Sequence, residues 1–119
     1  MKKMILLAAV IAIAALSSFT FERGLFDTGL RITVLDELGN RVEGATIKLY
    51  ESDKDYRASE NEVAEAQVTD EKGRVTFKDL ESKVYFIDAR KGNKNNNGAG
   101  VQTDKLEEKK LNKVNIVIE

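Results

Sequence analysis

The 119-residue chain contains no cysteine, no histidine, no proline and no tryptophan. Without cysteine there is no disulfide, no thiolate metal site, no thiol nucleophile and no cysteine-linked lipid anchor. Without histidine the usual general base near neutral pH is missing, and so is the commonest transition-metal ligand. Without proline, the turns must be shaped by Gly, Asn, Asp and Ser. An exported domain lacking disulfides rests on its hydrophobic core alone, which is workable at about a hundred residues.

Charge of one sign is also lacking. Nineteen Lys and Arg oppose twenty Asp and Glu, for a net charge of -1 and a pI of about 5.6. A nucleic-acid partner needs a concentrated basic stripe, and here bases and acids are mixed along the chain. The composition, 42% hydrophobic and 33% charged, is that of a soluble globular protein, and the length allows one domain.

What is present begins with residues 1–21. Lys2 and Lys3 form a short positive start, residues 4–16 are an unbroken apolar run, and Ser17 and Ser18 follow. This three-part order is that of a cleavable secretory signal peptide, bacterial in the shortness of its basic start. The apolar run falls below the roughly 20 residues of a membrane-spanning helix. The other readings are a buried core helix or an uncleaved anchor. Cleavage before Ser18 places Ala15 and Ser17 at the small-residue positions; cleavage before Phe21 places Ser18 and Thr20 there. Leu16-Ser17-Ser18 resembles the start of a lipoprotein signal, but Phe19 stands where the lipidated cysteine would have to be. Removal takes away Lys2 and Lys3 and no acid, moving the net charge from -1 to -3. The expected location is periplasmic or secreted, or anchored if the segment is retained. Residues 22–29 read as a short linker and residues 30–119 as a single domain.

Within that domain the hydrophobic period is two, the pattern of half-buried strands. Leu30, Ile32 and Val34 alternate with Arg31 and Thr33, and Ala45, Ile47 and Leu49 alternate with Thr46, Lys48 and Tyr50. Between them Glu37-Leu38-Gly39-Asn40 has turn chemistry. Residues 51–61 are polar and read as a long exposed loop; Ser59 with Glu62 also fits a capping box that would open a helical turn. Ala64, Ala66 and Val68 alternate with Glu65, Gln67 and Thr69 as a third strand. Asp70-Glu71-Lys72-Gly73 is a turn, followed by a strand over residues 74–78 with Val75 and Phe77 inward. Leu80 is expected to plug the core during the crossover that follows. Residues 83–90 carry apolar side chains at both parities, so this strand is expected to be central or buried on both faces. Residues 92–100 read as a loop and residues 101–103 as a brief edge pairing. Residues 105–110 read as a solvated charged segment, and Val114, Ile116 and Ile118 as the last strand. About seven short strands at near-regular spacing predict an all-β, Ig-like or transthyretin-like antiparallel sandwich.

Ile32-Thr33-Val34-Leu35-Asp36, Gly39, and Val42-Glu43-Gly44-Ala45-Thr46-Ile47-Lys48-Leu49 resemble the opening of carboxypeptidase regulatory-like domains. Residues 69–80, TDEKGRVTFKDL, resemble their middle segment, and Val84-Tyr85-Phe86-Ile87 the strand after it. The resemblance covers about half the chain and implies the transthyretin-like sandwich shared with the B-type repeats of bacterial collagen adhesins; such motifs identify a fold better than an activity. Arg41 stands where that family commonly has proline. The adhesin repeats often carry a Lys–Asn isopeptide bond whose Lys lies on the first strand. Residues 32–35 contain no Lys, and Lys48 is the first after the signal, so Asn112 and Asn115 lack a matching partner. Transthyretin-like hydrolases of ureide metabolism use His residues, which this chain lacks.

One stretch mimics a cation loop: Asn93, Asn95 and Asn97 alternate before Gly98, with Asp104 at the twelfth position from Asn93. Alternate oxygens before a glycine is how calcium loops converge on one centre. Asp104 would be the single charged ligand, however, too little negative charge for a hard dication, and an Asn/Gly turn exploiting left-handed backbone is the preferred reading of the composition. Asp88 and Arg90 read as an ion pair at a strand end or as a buried acid facing a ligand. Tyr50, Tyr56 and Tyr85 read as rim-facing core aromatics or as a ligand platform. No Ser has a plausible base partner and no carboxylate pair is placed in a cleft. No catalytic, cofactor-binding or metal-binding residue is therefore assigned. The expected function is that of an exported, non-enzymatic β-sandwich module with a structural role or a protein or glycan partner in the cell envelope, without nucleic acid. The alternative is a calcium- or small-ligand-binding periplasmic protein using residues 93–104.

Overall fold

The computed structural model describes residues 27–119. The expected signal segment, its cleavage site and most of the linker lie outside the described residues. Seven strands and one short helix follow in order: β1 (Gly29–Leu35), β2 (Thr46–Tyr50), α1 (Asp53–Ala58), β3 (Gln67–Val68), β4 (Arg74–Phe77), β5 (Phe86–Lys91), β6 (Lys94–Asn95) and β7 (Leu111–Val117). They form an all-β sandwich of a three-stranded sheet, ordered β4-β1-β7, and a four-stranded sheet, ordered β3-β2-β5-β6. Among the described residues no helix is long and apolar enough to cross a membrane.

The alternation read in the sequence sets the inner faces. Leu30, Ile32 and Val34 of β1 meet Ile47 and Leu49 of β2, Val75 and Phe77 of β4, and Ile87 and Ala89 of β5 in one cluster, joined by Ile116 and Ile118. Each such Leu, Ile or Phe, once fully buried, contributes roughly 1.5–3 kcal/mol before chain entropy is offset. Leu80 packs against this cluster as expected, and β5 is an interior strand of its sheet. The two open sides of the sandwich are tied by polar contacts. On one side Gln67 Nε2 donates to the Thr76 carbonyl at 2.9 Å. On the other, Asn95 and Glu119 exchange backbone hydrogen bonds at 3.0 and 3.2 Å.

Five features depart from the sequence reading. First, β7 runs parallel to β1, while the other ladders are antiparallel. The chain enters β7 beside the start of β1, with Gly29 N–H donating to Lys110 O at 3.0 Å; alternation fixes which face is buried and says nothing of direction.

Second, residues 53–58 are a helix rather than loop. Ser52 is its N-cap, accepting the Asp55 N–H at 3.1 Å, and Asp53 pairs with Arg57 at 2.7 Å one turn apart. Ser59 closes this helix from the left-handed region, φ 53°, so it cannot open another.

Third, the strand expected over residues 64–69 shrinks to two residues, and Val68 points to solvent, 61% exposed. Thr69 is buried instead. Its hydroxyl accepts the Ala45 N–H at 2.9 Å and donates to the Val42 carbonyl at 2.6 Å. Capping the start of β2 in this way outweighs the small apolar gain from Ala66 and reverses the parity.

Fourth, the Asn-rich segment contains β6, which forms a hairpin with β5. Fifth, Leu106 inside the charged segment is buried in the core, its N–H donating to the Lys83 carbonyl at 3.1 Å. Residues 101–103 do pair with β5: Ile87 N–H donates to Val101 O at 2.7 Å, and Thr103 N–H to Tyr85 O at 2.9 Å.

Candidate functional site

The β1–β7 seam is where the adhesin-type cross-link would lie. Ile32 is in register with Val114 and Val34 with Ile116, and the inward β1 side chains Leu30, Ile32 and Val34 are fully buried. The inward side of this seam holds no amine; Lys113 of β7 stands on the outward side, in register with Arg31. Lys48 reaches Glu62 at 3.9 Å from the outer face of the other sheet. Asn112 uses its amide locally: Nδ2 donates to the Gly29 carbonyl at 3.0 Å and Oδ1 accepts the Glu107 N–H at 2.9 Å. It clamps the turn into β7 onto the start of β1.

The Asn-rich loop is built around Asn96, which is fully buried. Its Oδ1 accepts the Ala89 N–H at 3.0 Å, and its Nδ2 donates to Ile87 O at 2.9 Å and Gly100 O at 3.1 Å. Asn95 Oδ1 accepts the Asn97 N–H at 3.0 Å, and Asn97 Oδ1 accepts from the Tyr56 hydroxyl. The amide oxygens of Asn95 and Asn97 are thus spent on turn geometry and on fastening the loop to α1. Asp104 is exposed and stands beyond the 101–103 pairing. Among the described residues no group of three or more acidic side chains is arranged to hold a metal ion.

Asp88 and Arg90 form the expected ion pair, with Arg90 Nε 3.0 Å from Asp88 Oδ1. The three tyrosines do not converge. Tyr50 and Tyr56 meet edge to face, centroids 6.0 Å apart at 77°, fixing α1 on the outer face of the four-stranded sheet. Tyr85 lies in the core, its hydroxyl accepting the Glu81 N–H and donating to the Glu81 carbonyl, each at 3.1 Å. Burial raises the pKa of all three phenols, and for Tyr50 the Glu62 and Asp88 carboxylates add to it. They remain protonated at physiological pH; Tyr56 and Tyr85 donate hydrogen bonds, while the buried Tyr50 hydroxyl has no hydrogen-bond partner among the described residues.

One repeated device was missed in the sequence: Asp-Glu-X-Gly-X occurs at 36–40 and again at 70–74. Both copies fold alike. Asp36 Oδ1 accepts the N–H groups of Leu38 and Asn40 at 3.0 and 2.9 Å. Asp70 Oδ1 accepts those of Lys72 and Arg74 at 2.8 and 3.1 Å. The Asn40 N–H chiefly lowers the Asp36 pKa, as the Arg74 N–H does for Asp70. The first turn ends in Leu38, 87% exposed at its tip. Two surface depressions of about 530 and 540 Å³ flank the sandwich, one between residues 103–107 and 110–114, the other beside Asp36, Val42, Lys91 and Asn93. Both linings mix lysines with carboxylates.

No protein-family model matches the chain, and no curated protein sequence matches it. Solved structures do. A streptococcal ancillary pilin superposes with a TM-score of 0.57 at 21% identity, over 78% of this chain and 32% of its own. BcpA, the major pilin subunit of Bacillus cereus, gives 0.53 at 19%, over 78% and 30%. The major pilin SpaD of Corynebacterium diphtheriae gives 0.52 at 13%, over 77% and 30%. The chain therefore spans about a third of the length of these solved proteins. At such identity the likeness is one of fold: a pilin-type β-sandwich, consistent with the collagen-adhesin side of the resemblance.

Proposed function

We propose that the chain is an exported, non-enzymatic structural module of a cell-surface assembly, of the kind that pilin domains provide, with another protein subunit as its partner. The observation that carries this reading is the use of its polar side chains. Asn96, Asn112, Thr69 and Tyr85 fasten loops to the sandwich and Asp36 and Asp70 close their own turns, in a fold shared with pilin subunits. A chain that invests its polar side chains in holding loops and turns still is suited to bearing contacts rather than to chemistry. The apolar start of the sequence supports export. Residues 1–21 are read as the signal and 30–119 as the module.

The test is surface labelling of intact producing cells with an antibody against the folded domain, with parallel fractionation. Labelling at the surface and co-purification with a high-mass protein assembly are expected. Confinement to the cytoplasm, or a surface form that never leaves the monomer fraction, overturns the reading.

A further inference from the structure

We propose that copies of this chain stack on one another, the outer face of the three-stranded sheet of one copy seating the acidic segment 51–65 of the next. This deepens the structural-module reading and rests on it for its setting, while the solution test below is independent of where the cell places the protein.

Strands β1, β4 and β7 contain no Asp or Glu. Their outward positions carry Arg31, Arg74 and Lys113 among Thr33, Thr76 and Asn115. The register sets Arg31 between Thr76 and Lys113, and Thr33 between Arg74 and Asn115, giving a grid of cations and hydrogen-bonding groups. None of the three cations has an ion pair among the described residues. Arg74 Nε is buried without a hydrogen-bond partner, so this guanidinium has already lost part of its hydration and an arriving carboxylate displaces less water. At the rim, Asp70 lies near Arg74, its Oδ1 already engaged by backbone N–H groups.

On the opposite side of the sandwich, segment 51–65 carries an acidic excess over an outer face that also bears Lys48, Arg90 and Asp88. Within segment 51–65, α1 contacts β2 and β5 on the outer face of the four-stranded sheet, and the chain then follows the edge of β2, Val63 N–H donating to Leu49 O at 2.8 Å. The segment carries Glu51, Asp53, Asp55, Glu60, Glu62 and Glu65 against Lys54 and Arg57. Arg57 occupies Asp53, Lys83 lies 3.5 Å from Glu51 and Lys48 lies 3.9 Å from Glu62. Glu60 and Glu65 are exposed and have no ion pair among the described residues.

A net charge of only -1 thus conceals a cationic face and an acidic segment on opposite sides of one domain. Such a contact is heterologous: each copy offers one face and uses the other, so the arrangement continues as an open stack. A polyanion would also fit the cationic face but leaves the acidic segment without a counterpart; a second copy satisfies both.

The experiment is sedimentation velocity on the protein purified from producing cells, over a concentration series at about 20 mM and about 500 mM salt, where the screening length shrinks to a few ångströms. The expected result is a mean mass that grows with concentration at low salt and falls to that of the monomer at high salt. Arg31→Glu with Lys113→Glu, and separately Glu60→Lys with Glu65→Lys, each abolish association; an equimolar mixture of the two variants restores it, because each now offers what the other lacks. Wild-type protein that stays monomeric at low salt, association that strengthens with salt, or reversed variants that still associate alone overturn the proposal. A monomer that binds soluble polyphosphate through Arg31 and Lys113 also overturns it and assigns the face to a polyanion. Circular dichroism verifies the fold of each variant, and if one fails to fold the wild-type salt series decides.

Discussion

Gly73 lies against the carbonyl oxygen of Val34: a Cβ at position 73 would stand 2.9 Å from that oxygen and 3.0 Å from the Val42 nitrogen. The Gly73 carbonyl in turn accepts the Val34 N–H at 2.7 Å. The second Asp-Glu-X-Gly turn is thereby locked onto the stem of the first, at one end of the sandwich. Gly39 holds the matching place in the first turn, also at positive φ, and has nothing within 4 Å of its would-be Cβ.

This pair separates backbone strain from packing. Gly39→Ala carries only the left-handed penalty, roughly 1–2 kcal/mol. Gly73→Ala adds a clash with backbone that cannot rotate away, and is expected to cost about 3 kcal/mol or more. Urea midpoints of the two variants measure the difference; equal losses would refute the packing claim.

The two Asp turns set an acid limb on stability. Backbone N–H groups hold the Asp36 and Asp70 carboxyls below their ordinary pKa. A carboxyl depressed in the folded state contributes fully above its unfolded pKa, about 3.9, and loses that contribution as pH falls through the folded value. Melting temperature is expected to drop as the buffer passes below about pH 4. The double variant Asp36→Asn/Asp70→Asn is expected to flatten that limb, since its amides do not titrate. A limb of unchanged steepness would place the acid sensitivity elsewhere.

Asn96 is the keystone of the Asn-rich loop. Asn96→Ala leaves the Ala89 N–H and the Ile87 and Gly100 carbonyls without their partner, and is expected to cost about 3 kcal/mol. Asn93→Ala, at an exposed position, is expected to stay within about 0.5 kcal/mol of wild type. Thermal melts of both variants decide whether burial, rather than asparagine content, is what matters.

Because Asn95 and Asn97 already use their oxygens in the loop, millimolar calcium is expected to leave the melting temperature unchanged; a ligand that bound only the folded state would raise it. A clear rise on adding calcium would return residues 93–104 to consideration as a cation site.

Much of the fold was legible because an inward apolar residue recurs at every second position in β1, β2 and β4. The alternation of Leu30, Ile32 and Val34 needs no tertiary information. What was hidden depends on partners remote in sequence. Parity alone places Val68 inward; the hydrogen bonds of Thr69 with Val42 and Ala45 turn it to solvent. Leu106 sits among charges, and its burial goes with backbone hydrogen bonds to remote partners, its carbonyl accepting from the Ser82 hydroxyl and its N–H donating to the Lys83 carbonyl. The parallel course of β7 follows from where the chain re-enters the sheet, and no local pattern records that. Among candidate sites, the Asp88–Arg90 pair is local and was readable. The segregation of Arg31, Arg74 and Lys113 from the 51–65 acids exists only once the sheets are stacked.

The most direct measurement is the intact mass of the protein from fractionated producing cells. An exported structural module whose β1–β7 seam is apolar predicts a surface or secreted species beginning near Ser18 or Phe21, with no loss of ammonia. A full-length species confined to the cytoplasm would contradict export. A mass lower by one ammonia would contradict the apolar seam and show that a Lys–Asn bond forms after all.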